Sequence, residues 1–149
     1  MKKYKYRVKP WMLPVGLTLI FVLILRFVLL VGYVPTSSME PTLAEGSFII
    51  GIRIFRDLKT GDIVVFEMDG VLQVKRIAGS PGEHIDMTKI SYMDSLPIPI
   101  FEQEVITVPE NAFFLLGDNR QNSWDSRYWE DPFVPAEAIA AKVIEFERK

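Results

Sequence analysis

From Trp11 to Val34 the chain reads WMLPVGLTLIFVLILRFVLLVGYV, with Arg26 as its only charge. A segment this apolar cannot be hidden by the 115 residues that follow it, so it constrains the fold more than any other feature. As a helix, the 22 residues from Trp11 to Gly32 would reach about 33 Å, enough to cross a bilayer core. Arg26 would cost roughly 2.5–3.5 kcal/mol at the membrane centre, but it lies towards the far end, where its long side chain can reach the headgroups. Pro14 falls in the first turn, where proline costs little, and Trp11 and Tyr33 bracket the run as interfacial anchors do. A cleaved leader would have a shorter apolar core and a small-x-small cleavage site. Gly32-Tyr33-Val34-Pro35 is a poor one.

The run therefore reads as a permanent signal anchor. Lys2, Lys3, Lys5, Arg7 and Lys9 precede it without an acid, which keeps that flank in the cytoplasm. Three parts follow: a basic cytoplasmic segment 1–10, a single transmembrane anchor 11–32 and an extracytoplasmic domain 33–149. That domain carries 11 basic and 19 acidic residues. Nothing in this balance suggests nucleic acid as a partner; the lipid bilayer is the partner implied. Cysteine is absent, which excludes disulfides, thiolate metal ligands and a thiol nucleophile.

Beyond residue 35 no long helical period recurs. Short apolar runs alternate with turn residues: 48–53, 62–67, 71–78, 113–116 and 139–146. Asp69-Gly70 between two such runs is a strong hairpin signal. Residues 87–110, with Pro97, Pro99 and Pro109, read as an irregular excursion with at most short strands. The fold class expected is mainly β, an antiparallel sheet domain carried on one N-terminal membrane helix.

Four segments stand out. Pro35-Thr36-Ser37-Ser38-Met39-Glu40-Pro41-Thr42-Leu43 is either a Ser/Thr/Pro linker or a rigid loop presenting a hydroxyl between two prolines. Gln73-Val74-Lys75-Arg76-Ile77 places two cations in an apolar strand, on opposite faces. It is either a basic edge that deters aggregation or the source of a buried amine. Burial lowers a lysine's pKa, and a neutral amine can take a proton from a serine hydroxyl. The stretch Gly117–Arg127 (GDNRQNSWDSR) combines turn formers with two Asp–Arg spacings, plausible scaffolding beside a site. Gly61-Asp62-Ile63-Val64-Val65-Phe66 alone reads as an ordinary turn and strand.

In this order the four segments resemble bacterial type I signal peptidases, serine proteases with a Ser/Lys dyad, from the anchor to about Arg127. The resemblance implies a membrane-bound endopeptidase of the bacterial cell membrane that removes N-terminal signal peptides from exported preproteins. It implies Ser38, the serine before the methionine, as nucleophile, a choice residue physics alone does not make over Ser37. It implies Lys75 as general base, Thr36 with the Ser38 N–H as oxyanion donors, and Ser123 as the residue orienting the lysine. Asp125 and Arg127 become a supporting ion pair, and Asp118 and Arg120 scaffold. Arg76 is a candidate partner for Asp118. No metal or other cofactor is implied. Shallow apolar pockets for small residues at the first and third positions before the cut are expected from Val34, Pro35, Leu43, Ile49 and Val74. Relative to larger members, the variable subdomain is reduced to about residues 86–110, and Trp124 occupies a position that is often small. Trp124, Tyr128, Trp129 and Phe133 rest either on the bilayer or in the core.

Rival readings remain at this level. His84-Ile85-Asp86 suggests a Ser-His-Asp hydrolase, although a lone histidine after a Pro-Gly turn is more often a surface residue. A specialised pilin or export-client peptidase is an alternative, as is a non-catalytic accessory protein of pilus assembly. Retention of both Ser38 and Lys75 argues against the last. The membrane run disfavours a soluble Ser/Lys autoprotease of the phage-repressor type.

Overall fold

Asp69 and Gly70 both adopt positive φ, 53° and 76°, the geometry that a two-residue hairpin turn between right-twisted strands requires. The hairpin they close is the centre of the fold. The computed structural model describes residues 9–94 and 105–144. Residues 1–8 of the basic segment, 95–104 of the proline-containing excursion and 145–149, with the end of the last expected strand, lie outside the described residues. A helix, α1 (Met12–Phe27), leads into β1 (Leu29–Tyr33), β2 (Phe48–Ile52), β3 (Ile63–Met68), β4 (Val71–Gly79) and β5 (His84–Asp86). A second helix, α2 (Met87–Asp94), precedes β6 (Val105–Thr107), β7 (Ala112–Leu116), β8 (Phe133–Pro135) and β9 (Ile139–Val143). Seven strands form one sheet in the order β1-β2-β9-β3-β4-β7-β8, and β5 pairs with β6 separately. Every pairing is antiparallel, as a mainly β reading expects.

Both faces of β3 are covered. Ile63 and Val65 pack with Leu30, Val34, Met39, Ile49, Ala141 and Val143. Val64 and Phe66 pack with Ile77, Phe113, Leu115, Trp129, Val134 and Ile139. A third cluster of Ile85, Met87, Ile106, Val108, Phe114 and Leu116 seats the small β5–β6 pair on the main sheet. Gly79 permits that approach, since a Cβ there would lie 2.5 Å from Ile85 Cδ1.

Two expectations change, and one choice that the sequence leaves open is decided. The apolar run is not one helix. α1 has 16 residues, and no helix among the described residues is long and apolar enough to cross a membrane. The run leaves the helix after the Val28 N–H bonds the Ile24 carbonyl, because residues 29–33 find a better partner in β2, with Leu29 opposite Ile52 and Tyr33 opposite Phe48. The excursion after residue 86 opens with α2 instead of irregular chain. Its start is explained by Asp86, whose Oδ1 accepts the Thr88 and Lys89 N–H groups (3.1 and 3.2 Å), the task of an N-cap carboxylate. Trp129 and Phe133 belong to the core. Trp129 is buried with its ring 5.9 Å from that of Phe66, and Phe133 packs edge-on to Phe114 at 6.4 Å. Of the aromatic group, Trp124 is exposed and stacks on Tyr128, with ring centroids 5.0 Å apart.

Candidate active site

The loop after β1 turns back over the sheet as a short 3₁₀ turn, Ser37–Met39, that buries Ser38 and Met39. Met39 is fully enclosed in the first core cluster, so one apolar side chain pins the turn and fixes the hydroxyl that precedes it. Lys75 arrives from β4, opposite Val64 of β3, and is only 4 % exposed. The two groups meet: Lys75 Nζ donates to Ser38 Oγ at 2.9 Å, a buried side-chain contact across 37 residues of sequence. Thr36 Oγ1 donates to the same oxygen at 3.3 Å. A buried amine loses hydration of its charged form, and desolvation lowers the Lys75 pKa below its ordinary 10.5. The negative charge of Asp125 opposes this shift and the positive charge of Arg127 adds to it.

The segment after β7 buttresses the other side of Ser38. Asp125 is fully buried; its Oδ2 accepts the Gly117 N–H at 2.9 Å, and its two oxygens take Arg127 Nε and Nη2 at 2.8 and 3.0 Å. Arg127 Nη2 also donates to the Arg120 carbonyl at 2.7 Å. Ser126 Oγ accepts the Leu115 N–H at 2.9 Å. Gly117 sits so close to the turn carrying Ser38 that a Cβ would fall 2.6 Å from the Ser38 carbonyl oxygen and overlap the Ser123 side chain. Ser123 is buried, and its hydroxyl has no hydrogen-bond partner among the described residues. The bond to the Lys75 amine expected of it is therefore not made in this arrangement.

The guessed pairing of Arg76 with Asp118 is present and bidentate: Nε to Oδ1 at 2.8 Å and Nη2 to Oδ2 at 2.7 Å. Burial alone would raise the Asp118 pKa, but hydrogen bonds from Arg76 and Thr42 and the nearby guanidinium charges of Arg76 and Arg120 bring it below the usual carboxylate range. Arg76 also donates to the Gly61 carbonyl at 2.6 Å and to Thr42 Oγ1 at 3.4 Å, so this one side chain joins β4, the turn before β3, the segment after β7 and the loop carrying Ser38. His84 lies elsewhere, exposed on β5, with Nδ1 2.9 Å from Thr107 Oγ1. The Ser-His-Asp alternative has no geometric support.

A cleft of about 420 Å³ opens beside Ser38 and Lys75, lined by residues of β1, by Pro35, Thr36, Ser38 and Ile49, and by the first residues of β4 through Lys75. Of the expected pocket residues, Pro35, Ile49 and Val74 line it. Val34 and Leu43 do not line it; they pack with the first core cluster. Val34 is held there by its backbone bonds to Ser47 and Gly46. Leu30, Val65 and Leu72 line the cleft but carry no signal in sequence beyond ordinary strand apolarity. Asn119, grouped in sequence with the turn formers, also contacts the nucleophile loop, donating from its side chain to the Ser37 carbonyl at 3.1 Å.

The family model described as "Signal peptidase, peptidase S26" matches residues 8–94 and 92–146. Among curated proteins, the chain is 34% identical to "Probable signal peptidase I-2" of Synechocystis sp., over 89% of this chain and 71% of that protein. It is 29% identical to "Signal peptidase I S" of Bacillus subtilis, over 83% and 80%, and 28% identical to "Signal peptidase I" of Pseudomonas aeruginosa, over 81% and 63%.

Proposed function

Because the chain belongs to the signal peptidase (peptidase S26) family, we propose that it is an active serine endopeptidase that cleaves signal peptides from exported preproteins through Ser38 and Lys75. The observation that carries this reading is the 2.9 Å contact between a buried lysine amine and a buried serine hydroxyl. Desolvation favours the neutral amine, the form in which a lysine serves as a base. In that form the hydrogen bond runs from Ser38 O–H to Lys75 Nζ. Ser38 Oγ attacks the scissile carbonyl as its proton passes to Lys75. The Thr36 hydroxyl and the Ser38 N–H hold the oxyanion where charge develops. The lysine ammonium then protonates the departing amine. Its amine next activates water, which hydrolyses the acyl-enzyme and frees Ser38. We assign to the Ser123 hydroxyl, which has no hydrogen-bond partner among the described residues, the task of accepting from the amine once Ser38 is acylated, since a buried hydroxyl is costly to leave unpaired. Asp125–Arg127 and Arg76–Asp118 keep the loops in place.

The cleft supports the substrate class. β1 is the terminal strand of the sheet, and with the start of β4 it flanks a groove suited to an extended peptide added as a strand. Pro35, Ile49 and Val74 leave shallow apolar room for the small side chains before the cut. α1 supports attachment to a bilayer: none of its residues is buried, and a helix apolar on all sides needs lipid or protein around it. We place residues 1–10 in the cytoplasm, α1 in the bilayer and the sheet domain, β1 included, outside, at the surface where a preprotein's cleavage site emerges. Tethering raises the effective concentration of enzyme there.

The test is cleavage of a preprotein by the detergent-solubilised full chain, with the new N-terminus sequenced. Ser38→Ala and Lys75→Ala should each abolish the product while His84→Ala spares it. Unchanged cleavage by Ser38→Ala would end this assignment. Stable co-purification with a client, without proteolysis by the unaltered chain, would favour the accessory role.

A further inference from the structure

The mechanism above leaves one residue at the nucleophile turn without a task. Asn119 reaches that turn twice. Its backbone N–H donates to the Ser38 carbonyl at 3.0 Å, and its side-chain Nδ2 donates to the Ser37 carbonyl at 3.1 Å. Its own Oδ1 accepts Asn122 Nδ2 at 3.4 Å, which sets which end of the amide faces the turn. The Ser37 carbonyl also takes the Glu40 N–H at 3.0 Å.

The Ser37 carbonyl and the Ser38 N–H are opposite edges of one peptide unit. That unit is planar and trans, so a donor fixed behind the carbonyl sets the rotation of the plate and with it the direction of the N–H in front. Donation to the carbonyl also polarises the amide and strengthens its N–H as a donor. We propose that Asn119 is a positioning residue for the oxyanion site, its side-chain amide holding the Ser37–Ser38 peptide so that the Ser38 N–H faces the developing charge. The inference rests on the reading of Ser38 as nucleophile and oxyanion donor given above. It assigns to Asn119 a contribution that grows along the reaction coordinate, because an oxyanion donor matters most when the carbonyl oxygen has become negative. The backbone bond from residue 119 to Ser38 survives any side-chain change, so the side chain can be tested separately.

The experiment compares the full chain in detergent with Asn119→Ala, which deletes the donor, and Asn119→Asp, which keeps the shape and replaces the donor by an acceptor. Each is assayed for kcat and KM on a peptide substrate. Each is also assayed for inhibition by a peptide aldehyde, whose carbon the Ser38 oxygen attacks to form a tetrahedral adduct. Binding of the uncleaved peptide is measured with the same changes in a Ser38→Ala background. Asn119→Ala should lower kcat about tenfold, and Asn119→Asp more, up to about a hundredfold, the scale of a lost oxyanion donor. KM and uncleaved-peptide affinity should stay within about twofold, while aldehyde affinity falls in parallel with kcat/KM. Retained peptide binding certifies the fold of each variant. If kcat stays within about twofold of the unaltered chain, or if aldehyde and peptide affinities fall together, the positioning role is overturned. Cleavage that survives Ser38→Ala would instead remove the reaction on which the inference rests, a separate outcome.

Discussion

Removing the Asp125 carboxylate tests the scaffold and the electrostatics of the site in one position. The carboxylate is fully buried and holds Arg127, itself 4 % exposed, through two oxygens, while Oδ2 also satisfies the Gly117 N–H. Breaking a buried pair from one side costs about 3–5 kcal/mol, and stranding a buried N–H costs about 1–3 kcal/mol. The two costs share one carboxylate and do not add in full, so Asp125→Ala should cost about 4–5 kcal/mol. That is a large part of the roughly 5–15 kcal/mol available to a domain. At about 4 °C per kcal/mol for a chain of this size, Tm should fall by about 15–20 °C. Asp125→Asn keeps an oxygen for Gly117 and should lose about half as much. It also has an electrostatic signature. Asp125 opposes the lowering of the Lys75 pKa, so its neutralisation lowers that pKa further, and the acid limb of kcat/KM moves to lower pH. Thermal unfolding followed by circular dichroism, with pH–rate profiles on a peptide substrate, reads both effects. A Tm for Asp125→Ala within about 3 °C of the unaltered chain, less than 1 kcal/mol on this scale, would refute the burial argument. An acid limb displaced to higher pH in Asp125→Asn would refute the electrostatic one.

Three further outcomes are expected. Lys75→Met should be inactive yet raise Tm near neutral pH, since the cost of taking a lysine out of water disappears when an apolar chain replaces it. The Lys75 pKa is lowered in the folded state, so the unfolded chain binds more protons between that pKa and 10.5. The unaltered chain therefore gains stability as pH rises through this window, and the Tm advantage of Lys75→Met should shrink across it. Thr36→Val, which keeps shape and removes the hydroxyl beside Ser38 Oγ, should lower kcat by about 10²-fold or more with Thr36→Ser restoring most of it, measured by steady-state kinetics. Trp129→Ala should cost about 3–5 kcal/mol in denaturant unfolding, because Trp129 is enclosed against Phe66. Trp124→Ala should stay within about 0.5 kcal/mol, because Trp124 is exposed.

The candidate site was legible in sequence to unequal degrees. Ser38 and Lys75 came from short motifs, and the strands carrying them were visible from alternation and from Asp69-Gly70. Opposite charges in separate segments suggest the Arg76–Asp118 pair, which the fold makes bidentate. The inward turn of Val34 and Leu43, the burial of Trp129 and the contact of Asn119 with the Ser37 carbonyl left no local mark. Each depends on which surface a neighbouring segment offers after folding, and a side chain's residue type does not encode its neighbours.

Sequence by itself determined the antiparallel β class, the apolar leading segment and the pair of residues on which the proposed chemistry turns. The first two rest on local signals, a period of two and turn residues, and Lys75 on its place among apolar strand residues; Ser38 rests on the motif's resemblance to signal peptidases, since local physics does not separate it from Ser37. Tertiary structure decided where the leading helix ends, because residues 29–33 gain a full ladder of hydrogen bonds with β2 that helix propensity cannot match in advance. It also decided that Lys75 is buried and Arg76 tethered. Alternation says only that the two point opposite ways, whereas the packing of the nucleophile turn and of the segment after β7 over one face makes that face the low-dielectric one. The groups that surround the Lys75 amine include Ser38, Asp125 and Arg127, which are 37, 50 and 52 positions away in the chain.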